Sequence, residues 1–568
     1  MSAFHWLTSV ASQGIHLAAQ QTSRAGAARF QAALRDTEQV QRQRLAEILR
    51  RVAGTPSGQA LGIHADMTWE AFAKQVAVSD YSDWQARIGQ QRERREPVLT
   101  RSPLRRYQPT SGSTSSIKWI PYTDAFLEEL DQAISPWLAD LYARFPGIRQ
   151  GRHYWSFSWV PTAMRTAMAQ DLNDDLALVP WWKRIFMKLS KAVPDAVALA
   201  QTSEDSQFAT LCYLLAARDL SFLSVWSPTF LLSLLDALGA HRSALAAALR
   251  DGDWGARTAG MGDLTCPKET AVAALLEAWD GRLDPDFLRS LWPALALISA
   301  WDTASSILWA DRLRELFPGV AFQGKGLWAT EGVVTLPFQG RYPLAIRSHF
   351  YEFEDLADGR IYPAWALSPG QDVRPLLTTG SGLLRYAMKD RLRVVEPLHT
   401  CPCFEFLGRM DGIDLVGEKL SSELAITLLN RLPQTLPDQR FLPLSLLALP
   451  VTPTLPCYLV LCEIPEALDG PTRTRLQHEV QVQVEQALQT HFHYRLARDL
   501  GQLGPVVALC SVDARALYLT RSVQRGMIAG NVKIEPLLLW DQPWPAAFHD
   551  RFGGMQTVCT EVDDVCDA

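Results

Sequence analysis

Between residues 110 and 116 six of the seven side chains carry a hydroxyl (Thr110, Ser111, Ser113, Thr114, Ser115, Ser116), and the seventh position is Gly112. Closely spaced N–H and O–H donors, with a glycine free to take positive φ, are what wrapping a polyphosphate requires. Lys118 adds a mobile point charge at the rim. The run is not a Walker loop, since the Gly-Lys-Ser/Thr ending is missing. Alone, it is also compatible with a solvated Ser/Thr-rich turn between two strands. Other chemistries find less support. Cys401-Pro402-Cys403 is the one close cysteine pair; His399 lies two residues before it, but no second pair completes a zinc site, and it reads as ordinary thiols. No Gly-x-Ser-x-Gly elbow or Cys/His pair marks a covalent nucleophile.

Two further segments follow the hydroxyl loop. The first is Gly324-Lys325-Gly326-Leu327-Trp328-Ala329-Thr330-Glu331-Gly332, and the second runs over residues 376–394 through Thr378-Thr379-Gly380-Ser381-Gly382 and Arg385 to Lys389-Asp390. In this order and spacing the three resemble the nucleotide motifs of the Gretchen Hagen 3 acyl-acid amido synthetases, a branch of the adenylate-forming superfamily that includes acyl-CoA synthetases and luciferases. The resemblance runs through nearly the whole chain. It includes the Val-Ser-Asp-Tyr turn at 78–81, Leu291-Trp292-Pro293 with Trp301, Tyr351-Glu352-Phe353, the hinge-like stretch 406–420, and the glycine-rich turn 526–536 that holds Lys533 before Pro536.

The resemblance implies a division of labour. Thr110, Ser111, Gly112, Ser113, Thr114, Ser115 and Lys118 would surround the β- and γ-phosphates of ATP. Thr330 would sit near the α-phosphate and Glu331 would take Mg²⁺, since a hard cation needs few carboxylates when phosphate oxygens complete its shell. Asp390 would accept the ribose hydroxyls, Arg385 would offer its planar fork to a phosphate, Arg409 would open the hinge to the adenylate, and Lys533 would act as an electrostatic clamp during adenylation. Three positions depart from the family pattern: Ser115 replaces a second glycine, Lys389 replaces the glycine before the aspartate, and Leu327 stands where an aromatic usually meets adenine, leaving Trp328 one place later.

The reaction the resemblance implies is adenylation of a carboxylic acid, then transfer of the acyl group to an amine, with an amino acid as the expected acceptor. A thiol acceptor, on coenzyme A or a carrier protein, and a binding scaffold that no longer turns over are the alternatives.

These groups need a framework. A chain of 568 residues exceeds one ordinary core, and 48% apolar with 20% charged residues describes a globular protein. A net charge of −6 with no basic block argues against nucleic acid, and the apolar windows 222–240 and 442–462 are broken by prolines or an aspartate, which argues against a membrane span. Arg94, Arg101, Arg105 and Arg106, with Glu93 and Glu96 among them, read as a solvated face. Residues 1–19 lack the pattern of a secretory leader and nine cysteines suit reduced thiols, so a cytoplasmic, monomeric enzyme is expected.

Apolar periodicity predicts helices over 26–52, 68–74, 123–143 and, with breaks, 207–249. Strands are expected over 153–160 and 322–337, with a hairpin over 367–394. Tryptophans 155, 159, 181, 182 and 226 serve as core by default and as walls of an apolar acid pocket by the sharper reading. The expected fold is α/β: a large N-terminal adenylation domain, 1–408, of β-sheets or a barrel flanked by helices, and a small mobile α+β lid, 409–568, in the luciferase-like manner.

Overall fold

Helices α1 (Ala3–Ala33) and α2 (Thr37–Val52) divide the segment expected to form one helix over 26–52. Asp36 leaves the helical track, and its carboxylate accepts the Gln39 amide at 3.0 Å, which caps α2 and ends the continuity. The computed structural model describes residues 3–109, 118–156, 159, 190–410, 412–416, 418–436, 440–450, 455–465, 468–524 and 532–540. Two units divide the chain: Met1–Leu407 with Ser522–Lys533, and Gly408–Arg521 with Ile534–Ala568.

In the first unit, α3 (Pro56–Ala60), α4 (Trp69–Gln75) and α5 (Tyr81–Arg94) lead into strands β1 (Leu104–Pro109) and β2 (Trp119–Thr123). The strands pair antiparallel, with Tyr107 opposite Pro121 and Pro109 opposite Trp119, so the hydroxyl-rich stretch joins two paired strand ends. Helix α6 (Asp124–Arg144) starts where the Thr123 hydroxyl accepts the Phe126 amide at 3.2 Å. The arginine cluster is only partly a solvated face: Arg105 pairs with Asp124 in the open, while Arg106 is half-buried with its guanidinium 5.1 Å from the Tyr122 ring.

Behind α6 lies a parallel sheet in the order β3 (Arg152–Trp155), β4 (Leu220–Ser224), β5 (Leu297–Ala300), β6 (Ala321–Gly324). Helix α7 (Ser203–Ala216) precedes β4, α8 (Pro228–Ala240) follows it, and α9 (Ile307–Leu316) links β5 to β6. Strand β4 falls inside the segment 207–249, which periodicity assigns to helix. All five of its residues are buried, and a strand covered on both faces reads as an unbroken apolar run that periodicity alone cannot separate from a helix.

A second, mainly antiparallel sheet has the order β10 (Ile361–Pro363), β9 (Phe350–Asp355), β11 (Asp372–Thr378), β13 (Asp390–Leu398), β14 (Cys401–Arg409), with β12 (Tyr386–Ala387) alongside β11. The expected hairpin over 367–394 is its β11–β13 pair. Its core, with Val333, Tyr351, Phe353, Leu377 and Val394, also receives Phe30 from α1 and Leu34 from the turn after it. The two-residue strands β7 (Trp328–Ala329) and β8 (Gly332–Val333) make the strand, turn and strand expected over 322–337.

In the second unit, after β15 (Gly412–Ile413) and β16 (Leu420–Ser421), strands β17 (Leu442–Leu449) and β18 (Cys457–Glu463) form a buried antiparallel hairpin. The apolar stretches 442–449 and 457–462 of the window 442–462 are therefore sheet core. Strands β19 (Val507–Ser511) and β20 (Leu537–Leu539) add in parallel on its two sides. Helices α10 (Ser422–Thr435) and α11 (Gly470–Gln489) supply Leu428, Leu432, Leu476, Val480 and Val484 to the core, and α12 (Ala514–Gln524) follows β19. Among the described residues no helix is long and apolar enough to cross a membrane. The architecture is the expected mixed α/β class.

Candidate active site

The β7–β8 hairpin pairs Ala329 with Gly332, which leaves Thr330 and Glu331 at its tip. The Tyr122 hydroxyl of β2 donates to the Thr330 carbonyl at 3.1 Å, and the Tyr386 hydroxyl of β12 lies 3.4 Å from Glu331 Oε1. Burial, and then the Glu331 charge, push the Tyr386 hydroxyl up, so it remains a proton donor to that carboxylate. Among the described residues no cation pairs with Glu331. None of them form a group of three or more His, Cys, Asp or Glu that could cage a metal. One carboxylate without an ammonium partner fits a hard divalent ion whose remaining ligands are phosphate oxygens and water.

What holds this tip is a pair that the sequence did not reveal. Glu129 of α6 and His349, both essentially fully buried, meet with Nδ1 and Oε2 at 2.7 Å. The Val333 amide donates to His349 Nε2 at 3.1 Å, so the ring proton is on Nδ1 and is donated to Glu129. The same Glu129 oxygen accepts the Gly380 amide at 2.8 Å. One carboxylate–imidazole link thus ties the Glu331 hairpin to the Thr379-Gly380-Ser381 turn. Both glycines are required by contact: a Cβ on Gly332 would stand 2.8 Å from His349 Nε2, and one on Gly380 would stand 2.6 Å from Glu129 Oε1. The available sequence signal was an acidic residue three positions after Phe126 and four before Ala133, on the apolar stripe of α6.

Arg385, expected at a phosphate, meets other partners in the fold. Its side chain is buried and committed: Nε and Nη2 donate to Glu352 at 2.8 and 3.0 Å, and Nη1 donates to the Ala73 and Val76 carbonyls at 2.8 and 2.6 Å. Four of its five N–H groups are thereby engaged, and its backbone holds φ at 49° with the amide donating to Thr378 Oγ1 at 2.9 Å. It fastens the third motif to the turn after α4. Asp390 is half-buried at the first position of β13, beside an exposed Lys389.

The tryptophans converge at the C-terminal ends of the parallel strands, where open α/β sheets bind their ligands. Trp155 ends β3, Trp226 follows β4 and Trp301 follows β5. Trp328, expected against adenine, has its ring beside those of Trp137 (5.8 Å between centroids) and Trp226 (6.4 Å). Trp226 and Trp301 lie 5.7 Å apart, and the Lys533 ammonium stands 3.6 Å from the centre of the Trp301 ring. Lys325, one residue beyond β6, is buried under Trp137 and Trp226. Trp159 donates to the Ala200 carbonyl at 2.9 Å and serves packing.

At the hydroxyl loop, Lys118 is half-buried with its ammonium 5.5 Å from the Tyr81 ring, and Tyr81 accepts the Trp119 amide at 2.8 Å. The loop residues Thr110, Ser111, Gly112, Ser113, Thr114 and Ser115, together with Trp181 and Trp182, lie outside the described residues. In the second unit Arg409, at the end of β14, has its guanidinium 3.8 Å from Glu535.

The description GH3 family N-terminal domain matches residues 26–322, and GH3 family central domain matches 342–409. Indole-3-acetic acid-amido synthetase GH3.15 of Arabidopsis thaliana is 23% identical over 421 residues, which are 66% of this chain and 68% of that protein. Among solved structures, a GH3.15 acyl acid amido synthetase in complex with 2,4-DB aligns with a TM-score of 0.77 at 20% identity, over 92% of this chain and 95% of the other. A second GH3.15 structure gives 0.73 at 20% identity, over 89% and 92%. At such identity the structural likeness establishes the fold. The family rests on the N-terminal match, which spans more than half of the sequence: this chain belongs to the GH3 family.

Proposed function

We propose that this protein is an ATP-dependent acyl-acid amido synthetase, an AMP-forming carbon–nitrogen ligase. It adenylates a carboxylic acid, releases pyrophosphate and passes the acyl group to an amine, of which an amino acid is the first candidate. The observation that carries this reading is Glu331, a carboxylate at a hairpin tip beside a tyrosine hydroxyl and without a cation partner among the described residues. The relatives support it: one is named an indole-3-acetic acid-amido synthetase, and another is titled as a complex with 2,4-DB.

In the first half-reaction an oxygen of the acid attacks the α-phosphorus, the bond to the bridging oxygen breaks, and pyrophosphate leaves with the electron pair. Mg²⁺ held by Glu331 would neutralise phosphate charge. Thr330 is assigned to the α-phosphate, Asp390 to the ribose hydroxyls, Lys533 to charge that develops on the equatorial oxygens, and the loop 110–115 with Lys118 to the outer phosphates. Arg409 is assigned to the adenylate. Arg385 serves by holding the third motif. In the second half-reaction the amine nitrogen attacks the acyl carbon, the carbon–oxygen bond to AMP breaks, and the nitrogen gives up a proton. Tryptophan walls that exclude water protect the mixed anhydride from hydrolysis.

The test is pyrophosphate release across a panel of aryl, indolyl and alkyl acids, with and without amino acids, with products read by mass spectrometry. Pyrophosphate with a new amide is the expected result. Release that needs a thiol and gives a thioester would overturn the amide reading.

A further inference from the structure

Ser224, Ser299 and Gln323 stand in register on three neighbouring parallel strands, so their side chains emerge from one face of the sheet in a row. Lys325 lies two residues past Gln323 on the same side. All four are more than nine-tenths buried, with exposures of 4%, 0%, 5% and 8%. The Trp137 indole donates to Gln323 Oε1 at 3.0 Å, and Lys325 Nζ donates to Ser224 Oγ at 2.9 Å. Ser299 Oγ and Gln323 Nε2 make no hydrogen bond, and no carboxylate faces Lys325 among the described residues. The unused capacity of this floor is mostly donor: two N–H of Lys325, two of Gln323 and the Ser299 hydroxyl, whose oxygen can also accept. A buried ammonium without a counter-charge is costly, and so is a buried donor without an acceptor. Burial pushes the Lys325 ammonium down to about 7.

The position says what the anion belongs to. The floor lies under Trp137 and Trp226, with Trp301 packed on Trp226 and the Lys533 ammonium over Trp301. Lys325 thus lies against Trp226 and Lys533 against Trp301, the two members of one indole pair. If Lys533 serves the carboxyl being activated, a molecule lying along the indoles presents its far end to Lys325.

We propose that Lys325, Ser299 and Gln323 form a specificity site for a second oxygen on the acyl acid, so that the preferred substrates are aromatic acids with a ring hydroxyl, carbonyl or second carboxylate distal to the reacting carboxyl. This deepens the ligase reading and rests on it for the word substrate. Recognition of the distal oxygen by the floor is a binding property and stands independently.

Isothermal titration calorimetry on the full chain tests it with matched pairs: benzoate and 4-hydroxybenzoate, phenylacetate and 4-hydroxyphenylacetate, benzoate and benzene-1,4-dicarboxylate. The expected result is that in at least one pair the oxygen-bearing acid binds about tenfold or more tightly, because a site built to hydrogen-bond an oxygen rejects the analogue without it. Lys325→Met should remove the difference while leaving affinity for the plain acid nearly unchanged. Ser299→Ala, which deletes one donor and little volume, should reduce the same ratio and decides the matter if Lys325→Met does not fold. Equal affinities in every pair, no binding by any acid, or a preference that survives both substitutions would overturn the inference. Discrimination in binding without pyrophosphate release would leave this site standing and remove the ligase reading alone.

Discussion

Replacing Lys325 with methionine should stabilise the first unit while it impairs recognition, and the gain should depend on pH. The folded protein lowers this ammonium from 10.5 to about 7. At about 1.4 kcal/mol per pKa unit, the shift corresponds to a ceiling of about 5 kcal/mol of penalty for keeping the charged form buried. The Trp137 and Trp226 faces, at 5.3 and 4.9 Å, and the Ser224 hydroxyl offset part of this for the charged state. Apolar replacement of buried charges elsewhere gains about 1–4 kcal/mol, so about 2–3 kcal/mol is expected near pH 6. The sign follows from proton counting. Below the folded value both states carry the proton and the penalty is complete. Between about 7 and 10.5 the unfolded chain holds the proton and the folded one has lost it, so wild-type stability from this group rises with pH and the variant's advantage shrinks. Urea denaturation of both proteins at pH 6 and pH 9.5, followed by tryptophan fluorescence, measures the difference. A variant that is less stable than wild type at pH 6, or an advantage that does not change between the two pH values, would refute the reasoning.

Other substitutions separate holding from chemistry. His349→Ala leaves the Glu129 carboxylate buried without its partner and should cost about 3–5 kcal/mol, seen as a lower urea midpoint. Arg385→Lys keeps the charge but loses the two-pronged grip on Glu352; stability should fall by about 1–3 kcal/mol with kcat nearly unchanged in the folded protein, whereas a selective loss of kcat would restore the phosphate role. Asp390→Ala should raise KM for ATP with a loss of roughly 10²-fold in kcat/KM, measured by acid-dependent pyrophosphate exchange. Lys533→Ala should instead lower kcat for adenylation by roughly 10²-fold, and full activity there would remove it from the site.

Much of this site could be read from side-chain identity and order, and the misreadings have physical causes. The tip carrying Thr330 and Glu331 and the strand opening at Asp390 lie where their segments suggested, because short turns announce themselves through glycine and hydroxyl residues. The Glu352 partner of Arg385 could not be read ahead, because a guanidinium suits a carboxylate and a phosphate equally well and only the fold brings Glu352 to it. Strand β4 was hidden by being buried on both faces. Lys325 sat in plain view between two glycines, but the three side chains that give it meaning come from strands far apart in sequence, and register across a parallel sheet is not written locally. The partnership of Glu129 with His349 is non-local in the same way.

That partnership also has a consequence for motion. The amide proton of Val333 is held by an imidazole nitrogen and that of Gly380 by the carboxylate bonded to the same ring. Neither can reach solvent until the buried link between them parts, so two amides from different motifs share one opening and should exchange with deuterium at a common rate. A ligand that tightens either motif slows both. The link thereby makes ligand occupancy at either motif a property of the core beneath it as well.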